Sequence, residues 1–148
     1  MELCGSVKNV IALACGVCDG LGFGTNTKAA LLTRGLAEMA RLGAAMKVDP
    51  KTFFGLAGLG DLATTCFSLN SRNRFVGSEL GKGRSITAVL KSMDSVAEGV
   101  PTAKAIFRLA KKKGIDMPIT AGVYQLIYGR PSPKRVVADL MGRSLKAE

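Results

Sequence analysis

The chain has 148 residues, 47% of them hydrophobic, with a mean hydropathy of +0.23. That size and apolar content fit one domain with a buried core and exclude a disordered chain, and no apolar run approaches the ~20 residues of a membrane span. The net charge of +10 favours anionic partners, while the absence of histidine and tryptophan removes the commonest general base and the commonest metal ligand.

The periodicity is helical almost throughout. Leu3, Val7, Val10, Ile11, Ala14 and Cys18 recur at three- and four-residue spacing and predict a first helix from Glu2 to Cys18. "DGLGFGTN" reads as a glycine-rich turn, with Asn26 able to cap the next helix, "TKAALLTRGLAEMARLGAAMK". Asp49-Pro50 reads as a cap followed by a helix-opening proline, ahead of a short helix around Phe53 and Phe54. Ser71 can cap a helix after "SLN", and Ser85 can cap "ITAVLKS". "PTAKAIFRLAKKKG" closes with lysines that suit a helix C-terminus and with Gly114 as its stop. Pro118 opens "PITAGVYQLIYG", Ser132-Pro133 opens "KRVVADLMGR", and the final "SLKAE" is expected to fray. No alternating run demands a strand, so the expected architecture is all-α, a multi-helix single domain over residues 1–148.

Three motifs bear on chemistry. Cys15 and Cys18 form a C-x-x-C, but inside an apolar helical run with no second pair or histidine, so packing is expected rather than zinc or redox work. Gly58-Leu59-Gly60-Asp61-Leu62-Ala63 matches the dinucleotide pattern G-x-G-x-x-G/A. That pattern has meaning only between a strand and a helix, and "KTFFGLA" is too short and too poor in β-branched residues to be the strand. A helix junction is expected there.

The third motif is a set of polar residues. Lys8 is the only charged side chain between Glu2 and Asp19. A lysine among small neighbours usually snorkels to the surface; held in a cleft, it can instead act as a general base. Ser71, Arg72, Asn73 and Arg74 crowd four positions, and arginine forks suit phosphate oxygens. With Asp61 orienting an ammonium or a hydroxyl, Lys8 and the Ser71-Arg72-Asn73 group make a pocket for a small phosphorylated polyol. The plainer reading of "SRNR" is a solvated helix start capped by Ser71, and spacing alone leaves both open. Arg74, two residues beyond Arg72, is expected on a different helix face.

"ELCGSVKNVIALACGVCDGLGFGTNTKAALLTRGLAEMARLG", "GLAGLGDLATTC", "SRNR", "EGVPTAKA" and "MPIT", in that order, closely resemble the C-terminal half of bacterial NAD(P)-dependent glycerol-3-phosphate dehydrogenases. The resemblance implies a helical substrate domain of the 6-phosphogluconate dehydrogenase C-terminal type. It implies interconversion of sn-glycerol 3-phosphate and dihydroxyacetone phosphate with NAD or NADP, in glycerol 3-phosphate supply for phospholipid synthesis. Residue by residue, it makes Lys8 the proton acceptor and Asp61, Ser71, Arg72 and Asn73 substrate contacts. Arg72, Val96 and Glu98 would touch the nicotinamide nucleotide, and Asn9 and Thr65 would add contacts. The family's N-terminal Rossmann domain has no counterpart in the 148 residues, so most of the cofactor grip would come from that partner domain and the chain alone should not catalyse efficiently.

Other expectations complete the reading. "MELCGSVKN" lacks a basic region followed by a hydrophobic stretch, so no signal peptide is expected and the setting should be cytoplasmic. A homodimer is compatible with this reading. Nucleic acid is not an expected partner, because aromatics are only 5% and basic residues are scattered. The alternative to the dehydrogenase reading is a helical dimerisation or anion-binding module without activity.

Overall fold

The computed structural model describes residues 2–143, apart from the side chains of Leu3 and Cys4; the expected fraying of "SLKAE" lies outside them. Among the described residues there are nine α-helices and one π-helical turn, and no strand. The helices are α1 (Glu2–Gly20), α2 (Thr25–Ala45), α3 (Lys51–Phe54), α4 (Asp61–Phe67), α5 (Arg72–Gly81), α6 (Ile86–Lys91), α7 (Gly99–Lys113), α8 (Pro118–Tyr128) and α9 (Pro133–Met141). The π turn, Leu56–Gly60, lies between α3 and α4.

Helix α1 is the axis of the molecule. Val10 through Cys15 are all buried, followed by Val17 and Cys18. A helix apolar on every side must be enclosed, and α2, α4, α5, α7 and α8 all pack on it. The helix runs two residues past its expected end at Cys18, because Gly20 does not break it: the residue has a helix of its own to lie against. Gly16 and Gly20 on α1 face Gly77 and Gly81 on α5. A Cβ at Gly16 would lie 2.0 Å from the Arg74 carbonyl oxygen, and one at Gly77 would lie 1.9 Å from that of Leu13. The two backbones therefore touch, a contact that glycines at four-residue spacing permit on both helices.

The caps mostly follow the sequence. Ser71 and Ser85 accept N–H bonds from Arg74 and Ala88, each at 3.2 Å. The Asp49 carboxylate accepts from Lys51 N–H at 3.0 Å. Gly114 ends α7 in the left-handed region, φ 66°. Asn26 does not cap α2: the helix begins at Thr25, after Gly24, with Asn26 already inside it.

Helix α8 has an unusual cap. Its flanking residue, Met117, offers no acceptor, and Pro118 has no N–H. The acceptor comes instead from Glu38 on α2, which is fully buried. Its carboxylate accepts the N–H of Ile119, the N–H of Thr120 at 3.2 Å and the hydroxyl of Thr120 at 3.1 Å. Burial outweighs those bonds and pushes the Glu38 carboxyl from 4.5 up to about 7.

Two predictions follow from these contacts. Gly77→Ala forces the α1 and α5 backbones apart and should cost at least about 2 kcal/mol, within the overpacking range. Gly5→Ala, in α1 with no atom within 4 Å of the new Cβ, should gain about 0.5–1 kcal/mol instead. Urea unfolding followed by circular dichroism compares them, and equal effects would dismiss the close contact. For Glu38, a carboxyl pKa raised on folding means the folded state holds the proton more tightly. Its stabilising contribution is full below pH 4.5 and is lost as pH rises through about 7. The stability of wild type relative to Glu38→Gln should therefore fall between pH 4.5 and pH 8; a difference that stays flat would mean that Glu38 titrates normally.

Candidate functional site

Lys8 sits in the N-terminal half of α1, where its side chain is 22% exposed. Its Nζ donates to Oδ2 of Asp61, the first residue of α4, 53 positions away in sequence. The π turn delivers Asp61. Gly58 lets that turn close against α3, since a Cβ there would come 2.2 Å from the Phe53 carbonyl oxygen. The glycine pattern "GLGDLA" is thus a helix junction, as expected, with no strand before it. Thr65 Oγ1 donates to the Asp61 carbonyl at 2.8 Å and ties the first turn of α4 together.

Beside this pair lies a hollow of about 280 Å³. Its walls bring together nearly every other residue singled out from sequence. Asn9 and Thr65 line it, with Ser71, Arg72 and Asn73 at the start of α5 and Val96 and Glu98 ahead of α7. Lys8 and Asp61 do not line it. Asp61 opens to a neighbouring hollow of about 550 Å³, with Gly5, Leu56, Ala57, Gly60 and Thr64, and Thr64 lines both. Sequence reasoning passed over Thr64, Ser68 and Asn70, which also wall the first hollow. The polar run "SLNSRNR" was the available signal for Ser68 and Asn70.

Two helix N-termini meet at this hollow. Ser71 spends its side chain capping α5, so the plain reading of that residue holds alongside the pocket. The cap satisfies Arg74 N–H and leaves the first N–H groups of α5 without helical acceptors, at the positive end of the helix dipole. Asn73 is buried, and its Oδ1 accepts Gly99 N–H at 2.8 Å. Gly99 has to be glycine to come this close: a Cβ would lie 2.7 Å from the Asn9 carbonyl oxygen. Asn73 therefore joins the starts of α5 and α7 and has only its amide NH₂ left for a ligand. Arg72, Val96 and Glu98 are exposed along the open side, Val96 at 67%.

Arg74 points away from the hollow, as its spacing predicts. Its Nε donates to Asp19 Oδ2 at 2.5 Å and its Nη1 to the Phe67 carbonyl at 2.8 Å. Lys28 reaches Asp19 Oδ1 at 3.0 Å. No sequence signal marked this cluster, because its members come from three helices.

The cysteines behave as packing. Cys15 and Cys18 lie fully buried within α1, and Cys66 on α4 is buried too. The Cys15 thiol is hydrogen-bonded to Cys66, which together with burial raises its pKa, and burial pushes Cys18 up to about 12. Cys4 has no described side chain. Among the described residues no group of three or more Cys, Asp or Glu could hold a metal ion, and no helix is long and apolar enough to cross a membrane.

Residues 1–138 match the family described as NAD-dependent glycerol-3-phosphate dehydrogenase C-terminus. Similar proteins include a glycerol-3-phosphate dehydrogenase [NAD(P)+] of Citrifermentans bemidjiense, 55% identical over the whole chain and 44% of its own length. One of Geobacter metallireducens is 56% identical with the same coverage. Among solved structures, a glycerol-3-phosphate dehydrogenase of Coxiella burnetii superposes with a TM-score of 0.94 at 42% identity, over 96% of this chain and 44% of that one. One from Saccharomyces cerevisiae gives 0.86 at 32%, over 95% and 41%. The chain thus spans less than half the length of the relatives it matches.

Thiols buried away from solvent should be inert. Cys15, Cys18 and Cys66 should resist alkylation by iodoacetamide in the native chain and react in urea, as read by peptide mass mapping. Cys15→Ala with Cys18→Ala should leave the metal content unchanged by elemental analysis. Stoichiometric zinc lost in that double variant would overturn the packing reading.

Proposed function

The chain belongs to the NAD-dependent glycerol-3-phosphate dehydrogenase C-terminal family, and from that premise we propose that it is the substrate-binding and proton-transfer part of an enzyme interconverting sn-glycerol 3-phosphate and dihydroxyacetone phosphate. The observation that carries this reading is the Lys8–Asp61 pair, drawn from two helices to the edge of a polar hollow that Arg72 overlooks. Three buried free thiols among the described residues suit a reducing, cytoplasmic setting for this work.

In this reading Lys8 accepts the C2 hydroxyl proton during oxidation and returns it during reduction. Asp61 stabilises the ammonium, the form Lys8 has after accepting the proton. Arg72 grips the phosphate with its fork, assisted by the positive end of α5, and so fixes the distance from the phosphate to the reacting carbon. Asn73 can add its NH₂, while its carbonyl oxygen keeps α7 in place. Asn9 and Thr65 line the same hollow and can orient hydroxyl groups.

A nicotinamide nucleotide, when bound, takes or supplies the hydride at C2. The open side of the hollow fits an edge contact with that nucleotide: Val96 is exposed there, next to Glu98 and Arg72. The described residues contain no strand–glycine–helix unit to hold the rest of it. We therefore assign the main grip to an N-terminal Rossmann domain of the kind the longer relatives have room for, with the 1–148 segment as the helical half.

The test is a joined enzyme: this chain behind the N-terminal part of the Citrifermentans bemidjiense relative. Lys8→Met should lower kcat by about 10² to 10⁴ with KM within a few-fold, as for loss of a general base. Arg72→Ala should raise KM for glycerol 3-phosphate and for the nucleotide together, by roughly 10- to 150-fold, the scale of a charge-assisted hydrogen bond. Arg72→Lys should recover only part, because an ammonium keeps the charge but loses the fork. A near-wild-type kcat in Lys8→Met removes Lys8 from the chemistry.

A further inference from the structure

The walls of the hollow come largely from one short connection. Helix α4 ends at Phe67 and α5 starts at Arg72, and Ser68, Asn70, Ser71, Arg72 and Asn73 all line the hollow. A connection this short and polar has little apolar surface to hold its shape. Leu69 is 89% exposed and packs on nothing that would anchor it. Within it Asn70 N–H donates to Ser68 Oγ at 3.2 Å and Ser71 N–H to the Ser68 carbonyl at 3.4 Å, and a tie to the central helix lies behind it.

Phe67 is gripped twice. Its carbonyl oxygen accepts from Arg74 Nη1 at 2.8 Å, and its ring lies under Lys28 Nζ at 4.7 Å. Both cations share one carboxylate: Asp19 Oδ2 takes Arg74 Nε at 2.5 Å and Oδ1 takes Lys28 at 3.0 Å. The cluster is largely enclosed, with side-chain exposures of 8% for Lys28, 16% for Arg74 and 22% for Asp19. At the other end of the connection Arg74 also donates its backbone N–H to Ser71 Oγ. A single residue therefore touches both ends of the segment, and Asp19 ties that residue to the central helix.

We propose that Arg74 is a positioning residue: held by Asp19, it clamps the 67–71 connection from behind and sets the shape of the hollow that Arg72 and Ser71 present to the phosphorylated substrate. The proposal rests on the substrate reading given above. Arg74 does this by the geometry of its fork. The planar guanidinium donates in two directions at once, to a carboxylate and to a carbonyl, which a lysine ammonium on a flexible stem reproduces poorly. Partial burial shields the bond to Asp19 from water and salt, while the bond to the Phe67 carbonyl lies at the exposed edge of the cluster.

The experiment uses the 148-residue chain with two readouts: amide hydrogen exchange across residues 68–71 without ligand, and affinity for sn-glycerol 3-phosphate by NMR titration. Arg74→Ala should speed exchange in the connection about tenfold or more and weaken the ligand by a similar factor, the scale of one charge-assisted hydrogen bond. Arg74→Lys should recover part of both. Val137→Ala, in the buried face of α9 and not among the residues that line the hollow, serves as a control that lowers the melting temperature; it should leave both readouts at wild-type values. Unchanged exchange in Arg74→Ala overturns the proposal, as does a ligand loss that Val137→Ala matches. A wild-type chain that fails to bind sn-glycerol 3-phosphate counts against the substrate reading instead, while the exchange comparison still decides whether Arg74 holds the connection.

Discussion

The contact on which the rest of the structure depends is backbone against backbone. Helices α1 and α5 meet through Gly16 and Gly20 on one side and Gly77 and Gly81 on the other, with no side chain between them. Close approach of this kind maximises dispersion and leaves no room for adjustment. It also fixes where the first turn of α5 lies relative to α1. Since Lys8 and Asn9 project from α1 and Arg72 and Asn73 from α5, the glycine seam sets the spacing of the site, although no glycine in it faces a ligand.

That seam creates a problem which the charges resolve. Enclosing α1 on all sides buries the neighbouring ends of other helices, and helix ends carry unsatisfied N–H and C=O groups. Glu38 answers at α8, where neither Met117 nor Pro118 can help. Asn73 answers at α7 by accepting Gly99 N–H. Arg74 answers at the end of α4 by reaching the Phe67 carbonyl. Each is a polar side chain sent from a different helix, so each also ties two elements together. The bonds at α8 and α7 are buried, so breaking either leaves a buried group unpaired, which costs more than the bond itself contributes.

The fold was legible in the sequence because its signals are local. Three- and four-residue apolar spacing, Ser71 and Ser85 as caps, Gly114 as a stop and Pro118 as a start each act within one or two turns. Gly20 reads as a turn residue when the chain is considered alone, and its contact with α5 decides otherwise; Asn26 reads as a cap, and α2 starts one residue ahead of it. The glycine pair in α1 was present in the sequence at the spacing of one helical turn, but its meaning required the matching pair in α5, some sixty residues on. The site shows the same division. Lys8, Asp61 and the Ser71-Arg72-Asn73 group stood out by residue type, and the resemblance named their roles. That Lys8 and Asp61 pair directly, and that Asn73 is committed to a helix start, follows only from packing.

The same logic separates the two arginines of "SRNR". They are two positions apart on one helix, so they face different ways. Arg72 faces the hollow and open solvent, where a charge is available to a ligand and contributes little to folding. Arg74 faces inward, where a guanidinium is tolerable only because Asp19 and a carbonyl oxygen receive it. A site that binds an anion needs both kinds of cation. The exposed one supplies attraction, and the enclosed one keeps the backbone still while it does so. Arg74 and Lys28 share the one carboxylate of Asp19, so the enclosed cluster keeps one positive charge behind the hollow, and it adds to the field that a phosphate meets from Arg72 and the first N–H groups of α5.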